Sequence, residues 1–253
     1  VKVVFMKFKK LGKSDLNVSS YCLGTMTFGE ATSETDSHLQ IDQSFDSGIN
    51  FIDTAEMYPT CPLREETTGD TEVIIGNWIE KNKSKRADFV LATKISGKGY
   101  KAVRNGEGID EKSIKIAIEG SLKKLKTDYI DLYQLHWPNR GSYHFRQNWN
   151  YNPTNQDTEI AKDNINGVLN SLSDLQKEGK IRHIGLSNET CWGTSHFLDQ
   201  LKNFSNLIIA SIQNEYSLLC RLYDLDMAEM SHHENISLLS YSPLACLLYT
   251  SDA

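Results

Sequence analysis

Seven short apolar runs, each ending on a polar residue and separated from the next by a longer polar or amphipathic stretch, constrain this chain more than any other feature. They are "YCLGT" (21–25), "INFID" (49–53), "FVLATK" (89–94), "IDLYQLH" (130–136), "IRHIGLS" (181–187), "ASIQNE" (210–215) and "ISLLSYS" (236–242). Runs this short, rich in β-branched and aromatic residues, read as buried strands rather than helices. Strands alternating with helical segments predict repeated βα units around a parallel sheet.

The intervening segments carry the helical period. Over 111–125, Ile114, Ala117, Ile118, Leu122 and Leu125 fall at three- and four-residue spacing and define one buried stripe. "DTEVIIGNWIEKNK" predicts a helix with Asp70 or Thr71 as N-cap, and "NINGVLNSLSDLQKEGK" one that stops at Gly179 as its C′ residue. Longer loops are expected at 59–70, 96–110 and 138–159. The last carries Trp137, just before it, with Tyr143, Phe145, Trp149 and Tyr151 as candidate pocket walls.

Two α/β architectures accommodate about seven such units: a (β/α)8 TIM barrel, here lacking roughly its last strand and helices, or an open doubly wound sheet. The barrel is favoured because its chemistry sits at strand C-terminal ends, where the polar residues gather. Nor does any strand lead into a credible dinucleotide fingerprint. "GKGYKA" (97–102) matches G-x-G-x-x-A, but the polar, glycine-containing "VRNGEGID" follows instead of a helix, so it reads as a loop.

Charge and cysteine usage narrow the function. A net charge of −6 spread along 253 residues predicts no nucleic-acid partner, and no apolar run approaches membrane-spanning length. Cys22, Cys61, Cys191, Cys220 and Cys246 are odd in number and form no CxxC pair. That pattern predicts a reducing, cytoplasmic setting with neither a disulfide framework nor a zinc site. No carboxylate/histidine set with metal-ligand spacing stands out, which weighs against a metal-dependent barrel enzyme such as an isomerase.

Four residues carry candidate chemistry: Asp53 after "NFI", Tyr58 in the loop beyond, Lys94 ending "VLATK" and His136 ending "DLYQLH". Each has an ordinary structural explanation when taken alone. In a barrel, however, three adjacent strands aim Asp53, Lys94 and His136 at one rim, and Tyr58 folds over the same mouth.

"NFIDTAEMY", "VLATK", "SLKKLKTDYIDLYQLHWP", "KIRHIGLSNE", "GTMTFG", "IQNEYSLL" and "YSPL" resemble, in order, the aldo-keto reductase superfamily. The wording of "GTMTFGE", "DTAEMYP", "LYQLHWP" and "GLSNETCWG" is especially similar to its Tas-type branch. The resemblance covers about residues 6–245, read as one barrel domain.

It implies NAD(P)H-dependent reduction of a small-molecule aldehyde or ketone, with NADPH expected and NADH as the open alternative. Tyr58 would be the general acid, Lys94 would lower its pKa from about 10, Asp53 would hold Lys94, and His136 would orient the substrate oxygen. It further implies Gly24, Thr25 and Met26 beside the nicotinamide ribose, and Ser187, Asn188 and Gln213 on the carboxamide. Tyr216 would stack on the ring, and Ser242 and Leu244 would meet the pyrophosphate. The competing reading is a redox-sensing regulatory subunit similar to potassium-channel β-subunits, which share the barrel and the four residues. Against the family pattern, Val1 to Phe5 ahead of Met6 and the residues from about Cys246 read as non-native or partial ends.

Overall fold

The computed structural model describes residues 6–245, and the expectations for 1–5 and 246–253 lie outside the described residues. A hairpin of β1 (Phe8–Lys10) and β2 (Asn17–Ser19) precedes β3 (Leu23–Gly24) and α1 (Glu34–Asp46). The units β4 (Phe51–Asp53) with α2 (Asp70–Lys81), β5 (Val90–Ile95) with α3 (Glu111–Leu125), and β6 (Ile130–Leu135) with α4 (Thr158–Lys177) follow. Then come β7 (Ile181–Ser187) with α5 (Cys191–Leu201), β8 (Ile209–Glu215) with α6 (Met227–Glu234), and β9 (Ser237–Tyr241).

Strands β3 to β9 form one parallel sheet in strict sequence order, each pairing with the next. A doubly wound sheet reverses its strand order at a switch point; this one never does. The fold is therefore α/β of the (β/α)8 barrel type, with seven of its parallel strands among the described residues.

Side-chain alternation along the strands sorts the core into two layers. On the helix side, Tyr133 and Leu135 of β6 join Ile75 and Trp78 of α2, Ile114 and Ile118 of α3, and Leu169 and Leu172 of α4. The indole of Trp78 stacks on Phe45 at 5.3 Å, and Phe89 meets both rings edge-on. Helices α2 and α3 touch closely at Gly76, where a Cβ would lie 1.9 Å from the Lys124 carbonyl oxygen. On the inner side, Phe51, Val90, Ala92, Leu132 and Ala210 pack against Leu11, Leu16 and Val18 of the hairpin. The hairpin thus plugs the barrel at the strand N-terminal ends, and Gly12 (φ 55°) lets its turn approach the Ala210 carbonyl.

The expected strands all form, and the predicted stripe of α3 is buried throughout. Asp110 caps α3 by accepting from the Ser113 amide, and Gly179 (φ 75°) follows α4 as predicted. The N-cap of α2 differs from expectation. It is Gly69 in the left-handed region, without a side-chain cap, because the Thr71 hydroxyl donates to the Phe28 carbonyl at 2.6 Å and Asp70 is already helical.

Candidate active site

Three neighbouring strands deliver the predicted residues to one rim. Asp53 ends β4 opposite Ala92 of β5, Lys94 lies two residues further along β5 opposite Gln134, and His136 follows β6 directly. Lys94 is fully buried and donates to Asp53 Oδ2 at 2.5 Å and to the Thr54 carbonyl at 2.8 Å. Its Nζ is 3.5 Å from the Tyr58 hydroxyl and 4.8 Å from that ring's centre. The His136 ring meets Tyr58 edge-on at 5.7 Å, and its Nδ1 is buried without a hydrogen-bond partner among the described residues.

The electrostatics follow from burial first and charge second. Burial works to strip the proton from Lys94, but Asp53, joined by Tyr58, outweighs it, so the ammonium is held more tightly than usual. Burial, followed by the Lys94 charge, holds His136 well below its ordinary value, so it is neutral at pH 7. For Tyr58 the outcome differs from the expected lowering. Burial raises the phenol more than Lys94 lowers it, Asp53 adds to the rise, and the net direction is upward. The phenol therefore keeps its proton at neutral pH, with a cation beside it.

Sequence reasoning missed Gln134. This fully buried side chain points into the barrel and donates to Asp53 Oδ1 at 2.7 Å. Its signal was present: a polar residue at an inward position of an otherwise apolar strand. Gln213 reaches the same Asp53 oxygen at 3.1 Å and Gln134 Oε1 at 3.3 Å. Its amide nitrogen is thus engaged with the barrel's own groups.

The other predicted contacts divide. Thr25 donates to the Asp53 carbonyl at 2.9 Å, tying the end of β3 to the site, while Gly24 and Met26 are exposed beside it. Asn188 (φ 51°) donates to the His136 carbonyl at 2.9 Å and to Ser187 Oγ at 3.0 Å, and accepts from the Tyr241 hydroxyl at 2.7 Å. Tyr216 is half-buried, and its hydroxyl donates to Asp224 at 2.9 Å. Ser242 (φ 50°) sits in a turn closed by the Ala245 amide, and Leu244 is exposed; among the described residues no hydrogen bond joins either to the four central residues. Of the loop aromatics, Trp137 lies 4.8 Å from His136 and 6.0 Å from Phe145. Tyr143 and Tyr151 face one another instead, and Trp149 is 90% exposed.

A parallel barrel sheet thus gathers an ammonium, a phenol, a carboxylate and a neutral imidazole at one rim. The Aldo/keto reductase family model matches residues 21–252, and the chain belongs to that family of NAD(P)H-dependent oxidoreductases. It is 43% identical over 242 residues to Protein tas of Escherichia coli, covering 94% of this chain and 68% of that protein. An uncharacterized oxidoreductase, YrpG, of Bacillus subtilis is 30% identical over 247 residues (95% and 67%). Norsolorinic acid reductase B of Aspergillus parasiticus is 28% identical over 243 residues (91% and 56%). The chain thus spans between about half and two thirds of these relatives' lengths. Among the described residues no helix is long and apolar enough to cross a membrane.

Proposed function

We propose that this chain reduces a small-molecule aldehyde or ketone to the alcohol, with Tyr58 as the acid that protonates the carbonyl oxygen. The observation that carries the reading is the buried chain Asp53–Lys94–Tyr58, with contacts of 2.5 and 3.5 Å, beside a neutral His136. NADPH is the proposed cofactor, the cytoplasm the proposed location, and no nucleic acid or membrane is a proposed partner.

The residues of the mouth fit a nicotinamide group. The Gly24 backbone faces open space, no hydrogen bond among the described residues engages Gln213 Oε1 or His136 Nδ1, and the Tyr216 ring is partly uncovered. When bound, the cofactor supplies a hydride. The protein's part is the proton. Neutral His136 orients the carbonyl oxygen, and Tyr58 donates from its hydroxyl as negative charge develops there. Lys94, fixed by Asp53, stabilises the phenolate left behind. A phenol with a raised pKa is fully loaded at pH 7, and the ammonium acts when the proton leaves.

Oxidation of NADPH by a panel of aldehydes and ketones tests this directly. Tyr58→Phe should lower kcat about 10²- to 10⁴-fold, the usual contribution of a positioned acid, while NADPH affinity changes little. Turnover that survives the substitution removes Tyr58 from the acid role.

A further inference from the structure

Beyond the four central residues, the loops after β4 and β5 are joined by a closed ring of polar contacts. Glu56 lies between Asp53 and Tyr58 in the chain and is buried. Its Oε1 accepts from the Ser96 amide at 2.5 Å, and its Oε2 is paired with Arg104 Nη1. Arg104 Nη2 closes the ring by donating to the Ser96 carbonyl at 2.8 Å. The ring is therefore anchored two residues before Tyr58 and two residues after Lys94. The Lys94 carbonyl itself accepts from the Glu56 amide at 3.1 Å.

Apolar packing continues the connection. Val103, next to Arg104, packs with Ala55 and Met57, and Tyr58, Tyr100 and Trp137 rest on that cluster. The Tyr100 hydroxyl is 2.8 Å from that of Thr68, which adds a second tie between the two loops. The backbone gives an independent sign. Arg104 (φ 44°) and Asn105 (φ 56°) are consecutive non-glycine residues in the left-handed region, a conformation that persists only where surrounding contacts enforce it. Both arms of the Arg104 guanidinium are engaged, and a lysine cannot reproduce that fork.

We propose that the Glu56–Arg104 pair is a positioning clasp that sets the separation of the Tyr58 hydroxyl from the Lys94 ammonium. The inference rests on the reading of Tyr58 as the acid. Lys94, Asp53 and Cys61 act most strongly on Tyr58, and Tyr241 and the His136 ring also face it. Arg104 and Glu72 are those that act on Glu56.

The test uses the whole chain with Arg104→Met, Arg104→Lys and Arg104→Gly. Displacement of an acid by about 1 Å lowers turnover by up to about 10²-fold. Arg104→Met should therefore lose about 10- to 100-fold in kcat per folded molecule, with KM for NADPH within about twofold of wild type. Arg104→Lys should recover only part of the loss, and added guanidinium ion should restore turnover to Arg104→Gly. A merely structural role would lower the folded fraction and leave kcat per folded molecule alone; that result overturns the clasp, as does a rise in KM for NADPH matching the fall in kcat. If the wild-type chain reduces no carbonyl, the functional reading fails by itself. The phenol then decides the clasp. Ultraviolet titration of each protein against its Tyr58→Phe counterpart isolates the Tyr58 midpoint. A midpoint moved by Arg104→Met sustains the clasp, and an unmoved one overturns it.

Discussion

Both ends of the barrel bury ion pairs, but they complete them differently. At the strand N-terminal ends, Asp131 accepts from Arg86 at 2.9 Å, from the Leu91 amide at 3.0 Å and from Arg182 at 2.8 Å. Arg86 also donates to Thr127 Oγ1 and to the Tyr129 and Phe89 carbonyls, and lies 3.9 Å over the Tyr129 ring. Arg182 continues to Asp15 in the hairpin turn at 2.9 Å. At the opposite end, Asp53 and Lys94 are as well paired, yet among the described residues His136 Nδ1 and Thr54 Oγ1 have no partner, and the Tyr58 hydroxyl has a long contact with Lys94. Apart from His183 Nδ1, which has no partner among the described residues, the first network is filled by its own groups, and such a network holds structure together. One with open valences at its edge can receive another molecule.

The sharpest way to break this contrast is Lys94→Met, which should cost both activity and stability. Turnover should fall about 10²- to 10⁴-fold with loss of the group that supports the acid. Asp53, left buried without its cation, should lower unfolding free energy by about 3–5 kcal/mol; turnover assays and urea unfolding measure the two effects. Asp131→Ala should separate them. Arg86 would be left buried and unpaired, again at about 3–5 kcal/mol, while kcat per folded molecule stays within about twofold.

Acid should probe a third polar region near the mouth. Burial lowers the pKa of His144 to about 4, against the opposing effect of its hydrogen bond to the Glu189 carbonyl. The unfolded chain then binds a proton, below about pH 6.5, that the folded chain refuses, so stability is greatest above that pH and declines as pH falls towards 4. At pH 5 the loss from this group is about 2 kcal/mol. His144→Gln should flatten that part of the pH dependence of the thermal midpoint. The smallest effect concerns the start of α3, on the mouth side of the barrel: Asp110→Ala removes the helix cap and should cost about 1 kcal/mol, with kcat per folded molecule unchanged.

The parallel sheet was legible because its strands are buried on both sides, and continuous apolar runs announce that in any α/β chain. The hairpin was not: "FKK" and "NVS" are short and polar, and only the assembled barrel gives Leu11, Leu16 and Val18 something to cover. The central four residues could be picked out because each breaks an apolar pattern at a strand end or just beyond it. Gln134 breaks one too, but inside a strand, where its meaning depends on which face points inward. The direction of the Tyr58 shift could not be read at all. It is a balance between burial and one cation, and the degree of burial belongs to the loops above, including a salt link between residues 48 positions apart.

The hairpin that plugs the barrel leaves the ribosome before any of the staves it will fill. Its three apolar side chains rest on Phe51, Val90, Ala92, Leu132 and Ala210, and the last of these is made about two hundred residues later. Such long-range closure is slow to form. A segment synthesised ahead of every stave is thus among the last to find its seat, and until then its oily side chains wait in water.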